Sequence, residues 1–545
     1  MWHDLSRVLS LWRPRRAALA LGCLVAAAST LIGVALLAVA GQGVALFGAA
    51  AAALLPLVLL RPIARWAERM ATHAATFQAL ADTRVWFFRR LADRLPAGIG
   101  LRRSGDLLGR LVADVESLDG LYLRAIVPAV AALSVVLAAV LLLGRVPALA
   151  ALVALPLGLA LLLPVLLAPG AARAAGEAAR ADGRLRAAAV DPLLGLEDTL
   201  AANAEQQAVA TLAAEGRALA AAQRRLAVRS SWGGAAGSLL AQAALLGALG
   251  WGLAAGAAPD EAHPLALALT ALFLALAAAE SLGVLPRAGA ALAAAAAGAR
   301  RLFEAADAPA PVAEATTPAA EPAGHAIRFE GVGFAWAVDR PAVFEALDLD
   351  IPEGARLALL GPSGAGKSSL AALLLKLAAP QGGRITLGGI DIAELPAGFV
   401  RRRIACLTQD ARLFDDSIAA NLRLAAPGAP DAALWRALDR AGIGELVRAL
   451  PEALATGCGE GGARFSGGQA RRLALARVLL SDAPVLLLDE PTAGLDAGAE
   501  RAFLETLESV TAGRTVILIT HRLVGVERPT RILRLAGGQA VAATG

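Results

Sequence analysis

Lysine is almost absent from this chain. Lys367 and Lys376 are the only two, and every other one of the 51 Lys+Arg residues is arginine. The formal net charge is only +5. The arginines flank long apolar runs, so they read as membrane-flanking charge and not as a nucleic-acid footprint. Cysteine is scarce too. Cys23, Cys406 and Cys458 form no C-x-x-C pair, which argues against a zinc site or a structural disulfide. The chain has no C-x-x-C-H, so covalent haem attachment is excluded.

Charge itself is missing from the 44 residues between Arg16 and Arg61. The chain is 57% hydrophobic with mean hydropathy +0.61, and its long uncharged runs lie in the first ~310 residues. A bilayer is crossed by roughly 20 apolar residues. The first run therefore holds two spans, with a tight turn expected near Gly41-Gln-Gly43. Runs at about 125–144, 146–168, 232–256 and 264–286 bring the expected count to six. The basic start and Ala26-Ala-Ala28 resemble a secretory signal, but the apolar run continues to about residue 40, too long for a signal core.

Arginine placement gives the orientation. Residues 1–16, 61–124 and 173–229 are studded with arginine, whereas the turns after the first, third and fifth spans carry none, Arg145 and none. Both termini and two long helical loops are expected in the cytoplasm, with short turns outside. Short cross-helices are expected at Ser104-Gly-Asp106 and across Asp191–Glu197, docking on a cytoplasmic domain; plain solvated helix ends are the other reading. Glu280 falls inside the sixth span, about two turns from Arg287. A carboxylate at that depth is costly unless it faces a cavity or a partner. It therefore lines a cargo path or pairs with Arg287 at the membrane edge.

The first domain is expected to cover 1–306, and a Pro/Ala-rich linker 307–324 leads to a soluble α/β domain over 325–545. That domain is organised around Gly361-Pro362-Ser363-Gly364-Ala365-Gly366-Lys367-Ser368, which fits G-x-x-x-x-G-K-[ST] and is followed by Ser369. The glycines let successive N–H groups point at phosphates, and the helix that follows offers its positive end. Lys367 supplies a point charge to the β/γ-phosphates, and the Ser368 hydroxyl is a Mg²⁺ ligand. The apolar run Arg356–Leu360 before it reads as a buried strand.

Further motifs follow in order. Trp336 precedes the loop by about 25 residues and can stack on adenine, while Phe334 by alternation belongs to the core. Gln409 ends an apolar strand and can reach Mg²⁺ and the attacking water. Ser466-Gly467-Gly468-Gln469 opens a helix and offers a hydroxyl, N–H groups and a helix N-terminus to a γ-phosphate. In Val485–Glu490, Asp489 is placed to hold Mg²⁺ and Glu490 to act as general base on water. His521 follows another buried strand and is placed to sense the γ-phosphate.

Together these motifs resemble the ATP-binding-cassette (ABC) transporter family, and one six-span α-helical domain ahead of one cassette resembles an exporter half-transporter. The resemblance implies a paired assembly with ATP and Mg²⁺ between two cassettes. Ser466–Gln469 would then act on the partner's nucleotide, and Asp496 would lie at the dimer interface. Glu68-Arg69-Met-Ala-Thr-His73, Ser104-Gly-Asp-Leu-Leu108 and Thr520–Glu527 are similar to the CydC half of the CydDC thiol exporters. That resemblance implies a CydD-like partner, export of cysteine and glutathione across a bacterial inner membrane, and support of cytochrome bd assembly. It also makes His73, with Arg69 beside it, a candidate ligand of haem b; a capping or interfacial histidine is the other reading. Gly41-Gln42, Phe465 and Ala493 depart from the subfamily pattern. A homodimeric lipid or drug exporter and a haem-responsive membrane ATPase are the rival readings.

Overall fold

The computed structural model describes residues 1–45, 51–92, 94, 109–255, 263–315, 321–337, 339–409, 411–493 and 495–542. Its contacts divide the chain into two compact units, a helical one that ends at Asp307 and an α/β one that continues from Ala308.

In the helical unit α1 (Trp2–Leu11) leads into α2 (Arg16–Ala45) and α3 (Ala51–Ala92). π-Helical turns at Arg110–Asp114 and Tyr122–Ile126 precede α4 (Val127–Leu143). Then come α5 (Pro147–Leu194), α6 (Leu196–Ala201), α7 (Glu205–Ala255), α8 (His263–Leu282) and α9 (Pro286–Ala306). Among the described residues, four stretches are long and apolar enough to cross a membrane: Arg13–Gly41, Leu111–Leu143, Pro147–Leu194 and Glu205–Ala255. The apolar part of α8, Leu267–Leu282, is shorter, and α3 carries Arg61, Arg65, Glu68 and Arg69 inside its length.

Two expectations are corrected here. The turn near Gly41–Gly43 is not a turn: α2 runs through it to Ala45. Glycine does not break a helix that has no water to satisfy a freed backbone. The second cross-helix is also displaced. Asp191 and Pro192 belong to the end of α5, the chain breaks at Gly195, and the short helix is Leu196–Ala201. Ser104–Asp106 lie outside the described residues.

At 48 and 51 residues, α5 and α7 are each over 70 Å long at about 1.5 Å per residue, against a hydrocarbon core of about 30 Å. Their polar halves pack together as a hairpin laced by Arg184–Glu215 (3.0 Å) and Arg225–Glu177 (3.3 Å). The apolar halves approach closely at a glycine: a Cβ added to Gly247 of α7 would stand 3.2 Å from the Leu152 carbonyl oxygen of α5. Elsewhere Arg301 of α9 holds the buried Asp114 with paired hydrogen bonds, and Arg15 does the same for Asp82 of α3.

The α/β unit has two sheets. An antiparallel one orders β2 (Phe344–Ile351), β1 (Ile327–Phe334), β4 (Gly382–Leu387) and β5 (Ile390–Asp391). The other orders β10 (Gln539–Ala542), β9 (Arg531–Ala536), β3 (Arg356–Leu360), β8 (Thr515–Thr520), β7 (Val485–Asp489) and β6 (Ile404–Leu407). All but β10 run parallel in the second sheet. The strands β7 and β8 are continuous apolar runs because both faces are covered. The helices are α10 (Lys367–Leu374), α11 (Ala397–Arg403), α12 (Ile418–Arg423), α13 (Asp431–Arg440), α14 (Gly444–Ala449), α15 (Gly467–Leu480) and α16 (Ala497–Val510).

Candidate functional site

Parallel pairing puts the chemistry on one edge. Leu360 pairs with Thr520, Asp489 with Ile519 and Leu407 with Leu488, so β3, β8, β7 and β6 end together. The next residues, Gly361, His521, Glu490 and nearby Gln409, open along that edge, where α/β sheets bind ligands.

The loop after β3 turns through Gly364 at φ 83° and Gly366 at φ 97°. Gly366 is tightly housed: an added Cβ would meet Val343 Cγ1 at 2.6 Å and the Phe344 ring at 2.8 Å. Pro362 and Ser363 are exposed, and the Ala365 N–H donates to the Pro362 carbonyl at 3.2 Å. Lys367 begins α10 and is buried, with Nζ donating to the carbonyls of Gly361 (2.8 Å) and Pro362 (3.2 Å). The Ser368 hydroxyl donates to Asp489 Oδ2 at 3.1 Å. These two oxygens are the hard donors a Mg²⁺ ion takes, and a backbone nest with one buried ammonium suits a polyphosphate. The residues present fit ATP·Mg²⁺.

Glu490 sits one residue beyond β7 in the left-handed region, φ 46°, and its N–H is held by the Ile519 carbonyl at 2.9 Å. Its Oε1 lies 2.6 Å from His521 Nε2 and 3.7 Å from Lys367 Nζ. His521 Nδ1 lies 3.1 Å from the Gly361 carbonyl. One carboxylate, one imidazole and one ammonium therefore meet at the mouth of the loop. Trp336 is half exposed, stacks edge-on against Phe334 at 5.2 Å, and donates from Nε1 to Ser369 Oγ at 3.0 Å. Phe334 is buried. On the neighbouring strand the Cys406 thiol is pushed up to about 12, by burial first and the Asp489 charge second, and stays protonated at neutral pH.

Ser466, Gly467, Gly468 and Gln469 stand apart from that cluster, at the start of α15. Ser466 and Gln469 form a reciprocal capping box: the hydroxyl accepts from the Gln469 N–H, and the Gln469 side chain accepts from the Ser466 N–H. The hydroxyl hydrogen is left to donate. Asp496 caps α16 through the Ala499 N–H at 2.9 Å.

Sequence reasoning missed Arg471, which is one arginine in a helix full of them. Its guanidinium donates to the carbonyls of Gln409 (2.5 Å), Glu490 (3.1 Å) and Ala493 (3.3 Å). Two loops, the one after β6 and the one after β7, are thus tied to one helix. Arg471→Ala is expected to lower the ATPase kcat about tenfold with little change in KM for ATP, since the carbonyls it holds belong to the loops after β6 and β7 and not to the phosphate loop. Steady-state phosphate release checks it, and Arg471→Lys should recover only part of the loss.

In the helical unit the side chain of Arg287, the expected alternative partner of Glu280, lies outside the described residues. The Glu280 oxygens accept from Arg61 at 3.3 Å and Arg65 at 2.9 Å, both on α3. These groups line a cavity of about 330 Å³ with Arg69 and His73. His73 Nδ1 lies 3.1 Å from the Arg69 carbonyl of its own helix, and its ring packs edge-on to Phe77.

Comparison with known proteins gives three results. A family model described as ABC transporter matches residues 344–493, and one described as AAA domain, putative AbiEii toxin, Type IV TA system, matches 463–524. The chain is 34% identical to the glutathione/L-cysteine transport system ATP-binding/permease protein CydC of Escherichia coli K12, over 89% of this chain and 84% of that one. It is 32% identical to the CydD protein of Bacillus subtilis, over 88% and 84%. The ATP-dependent lipid A-core flippase of Ralstonia nicotianae is 42% identical, over 40% of this chain and 37% of its own. The structure of a bacterial Atm1-family ABC exporter with ATP bound superposes with a TM-score of 0.81 at 26% identity, covering 97% of this chain and 94% of that one.

Proposed function

Because this chain belongs to the ATP-binding-cassette exporters, as a half-transporter that couples ATP hydrolysis to transport, we propose that its cargo is a small thiol such as cysteine or glutathione. The observation that carries this is coverage. Relation to the CydC and CydD proteins extends over nearly nine-tenths of the chain. The flippase relation stops at 220 residues, about the length of the cassette alone. A cassette supplies energy; the helical unit chooses the cargo. In this reading residues 1–306 form the membrane domain, 307–324 the linker and 325–545 the cassette. The chain works in a bacterial inner membrane with both termini cytoplasmic, beside a CydD-like partner, moves thiols to the periplasm and supports cytochrome bd assembly.

The mechanism follows from the site. Gly361–Ser369 would cradle the phosphates, Lys367 would neutralise the β/γ oxygens, and Trp336 would meet the base. Ser368, Asp489 and Gln409 would hold Mg²⁺, which supplies charge neutralisation on the transferring phosphoryl group. Glu490 takes a proton from the attacking water, and His521, hydrogen-bonded to it, holds it in place and reaches the γ-phosphate. Ser466–Gln469 would close on the partner's nucleotide.

Haem fits one-sidedly. With Nδ1 facing its helix carbonyl, His73 keeps Nε2 for a metal, and Arg69 is near for a carboxylate. Among the described residues that line the cavity there is no second histidine, cysteine or methionine.

The test is ATP-dependent uptake of labelled cysteine and glutathione into inside-out vesicles containing the chain and its CydD-like partner, with Glu490→Gln as control. Uptake abolished by that change is expected. Vesicles that hydrolyse ATP yet gather neither thiol would sink the thiol reading, and flipping of a labelled lipid would then establish the lipid alternative.

A further inference from the structure

We propose that the cavity lined by α2, α3, α4 and α8 is a cargo site for small zwitterions, in which Arg61 and Arg65 clamp the carboxylate and Glu280 takes the ammonium. It rests on the export reading and deepens it.

The sequence builds the cavity in one step. Arg61, Arg65 and Arg69 recur every fourth residue, so they lie on one face of α3. Arg61 directly follows the apolar stretch that opens α3, and Glu280 lies within the apolar helix α8. Charges set among apolar helices are expensive and are kept for function. All three arginines line the cavity, where among the described residues two carboxylates, Glu68 and Glu280, oppose them. The wall carries an excess positive charge, so it calls for a ligand that brings an anionic group.

Glu280 explains why that ligand should also carry a cation. Its two oxygens are shared between Arg61 and Arg65, and 58% of its side chain is accessible. A carboxylate arriving from the cavity can replace Glu280 on the two guanidinium groups. Glu280 is then released to accept the ligand's ammonium. Pairs are exchanged and no charge is left alone. A ligand with only one of the two groups would leave either an arginine or Glu280 without its partner, and such a site discriminates against it. Space agrees. Gly33 of α2 leaves room beside Arg61, since a Cβ there would already touch its Nε at 3.6 Å. The volume of about 330 Å³ is at the small end of the roughly 300–1,000 Å³ range of ligand cavities.

The experiment is equilibrium binding of labelled L-cysteine to the purified full-length chain in detergent. Competitors are cysteamine, which lacks the carboxylate, 3-mercaptopropionate, which lacks the ammonium, and serine, which lacks the thiol. In the native chain the first two should compete about tenfold or more weakly than unlabelled cysteine. Arg65→Gln should remove the discrimination against cysteamine, and Glu280→Gln that against 3-mercaptopropionate. Opposite losses in the two variants cannot come from unfolding. No saturable cysteine binding, equal competition by all three compounds, or native discrimination in both variants would overturn the site. Serine competing as well as cysteine keeps the site and removes the thiol reading. Thiol uptake that survives both substitutions keeps the thiol reading and overturns the site.

Discussion

Glu490→Gln is expected to slow ATP turnover by a factor of about 10² to 10³ while ATP still binds. The two side chains have the same shape, so the backbone at φ 46° and the N–H bond to Ile519 survive the change. What disappears is the group that accepts a proton from water. Binding should hold or tighten. The native carboxylate lies 3.7 Å from Lys367 Nζ and competes with phosphate for that ammonium; an amide competes less. Phosphate release measures the first effect and retention of labelled ATP the second. Turnover within a few-fold of native would remove Glu490 from the role of general base. The His521 ring 2.6 Å away would then be the next group to test.

Two alanine substitutions in the phosphate loop should differ widely although both replace a glycine at positive φ. Gly364, at φ 83°, has open space around its missing Cβ, whereas Gly366, at φ 97°, has Val343 and Phe344 against it. Both variants incur the backbone penalty of roughly 1–2 kcal/mol. Only Gly366→Ala must also displace the buried Phe344, and with it the edge of β2. Gly364→Ala should therefore weaken ATP binding about tenfold, and Gly366→Ala a hundredfold or more, at about 1.4 kcal/mol per factor of ten. Titration with a fluorescent nucleotide reads both. Equal losses would mean that the loop relaxes around the added methyl group.

The cassette was legible in the sequence because phosphate chemistry leaves few choices. A loop that must bend toward an anion needs glycine, and a strand that must deliver a carboxylate to its end is apolar until that residue. Phe334 closes β1 and is buried in phase with Val332, whereas Trp336, of the same parity, is exposed because the strand has ended. The membrane unit was less legible. Apolar Ala/Leu runs give no register, so the turn was assigned to glycines that α2 passes straight through. The partners of Glu280 lie 215 and 219 residues away, where no local spacing points. Arg471 was hidden for the opposite reason: arginine is so common here that one more carries no signal.

The hold of Arg471 on two loops has a consequence for how two nucleotide sites would keep time. Ser466 and Arg471 share the first turns of one helix, about 7.5 Å apart along its axis. The serine would face the partner's ATP, and the arginine grips the carbonyls around this chain's own Glu490. No hinge separates them. A shift of the loops at one nucleotide must therefore move the serine offered to the other, so the pair would work as an escapement, each stroke setting up its opposite. A half-transporter that had lost its own hydrolysis could still pass the beat along.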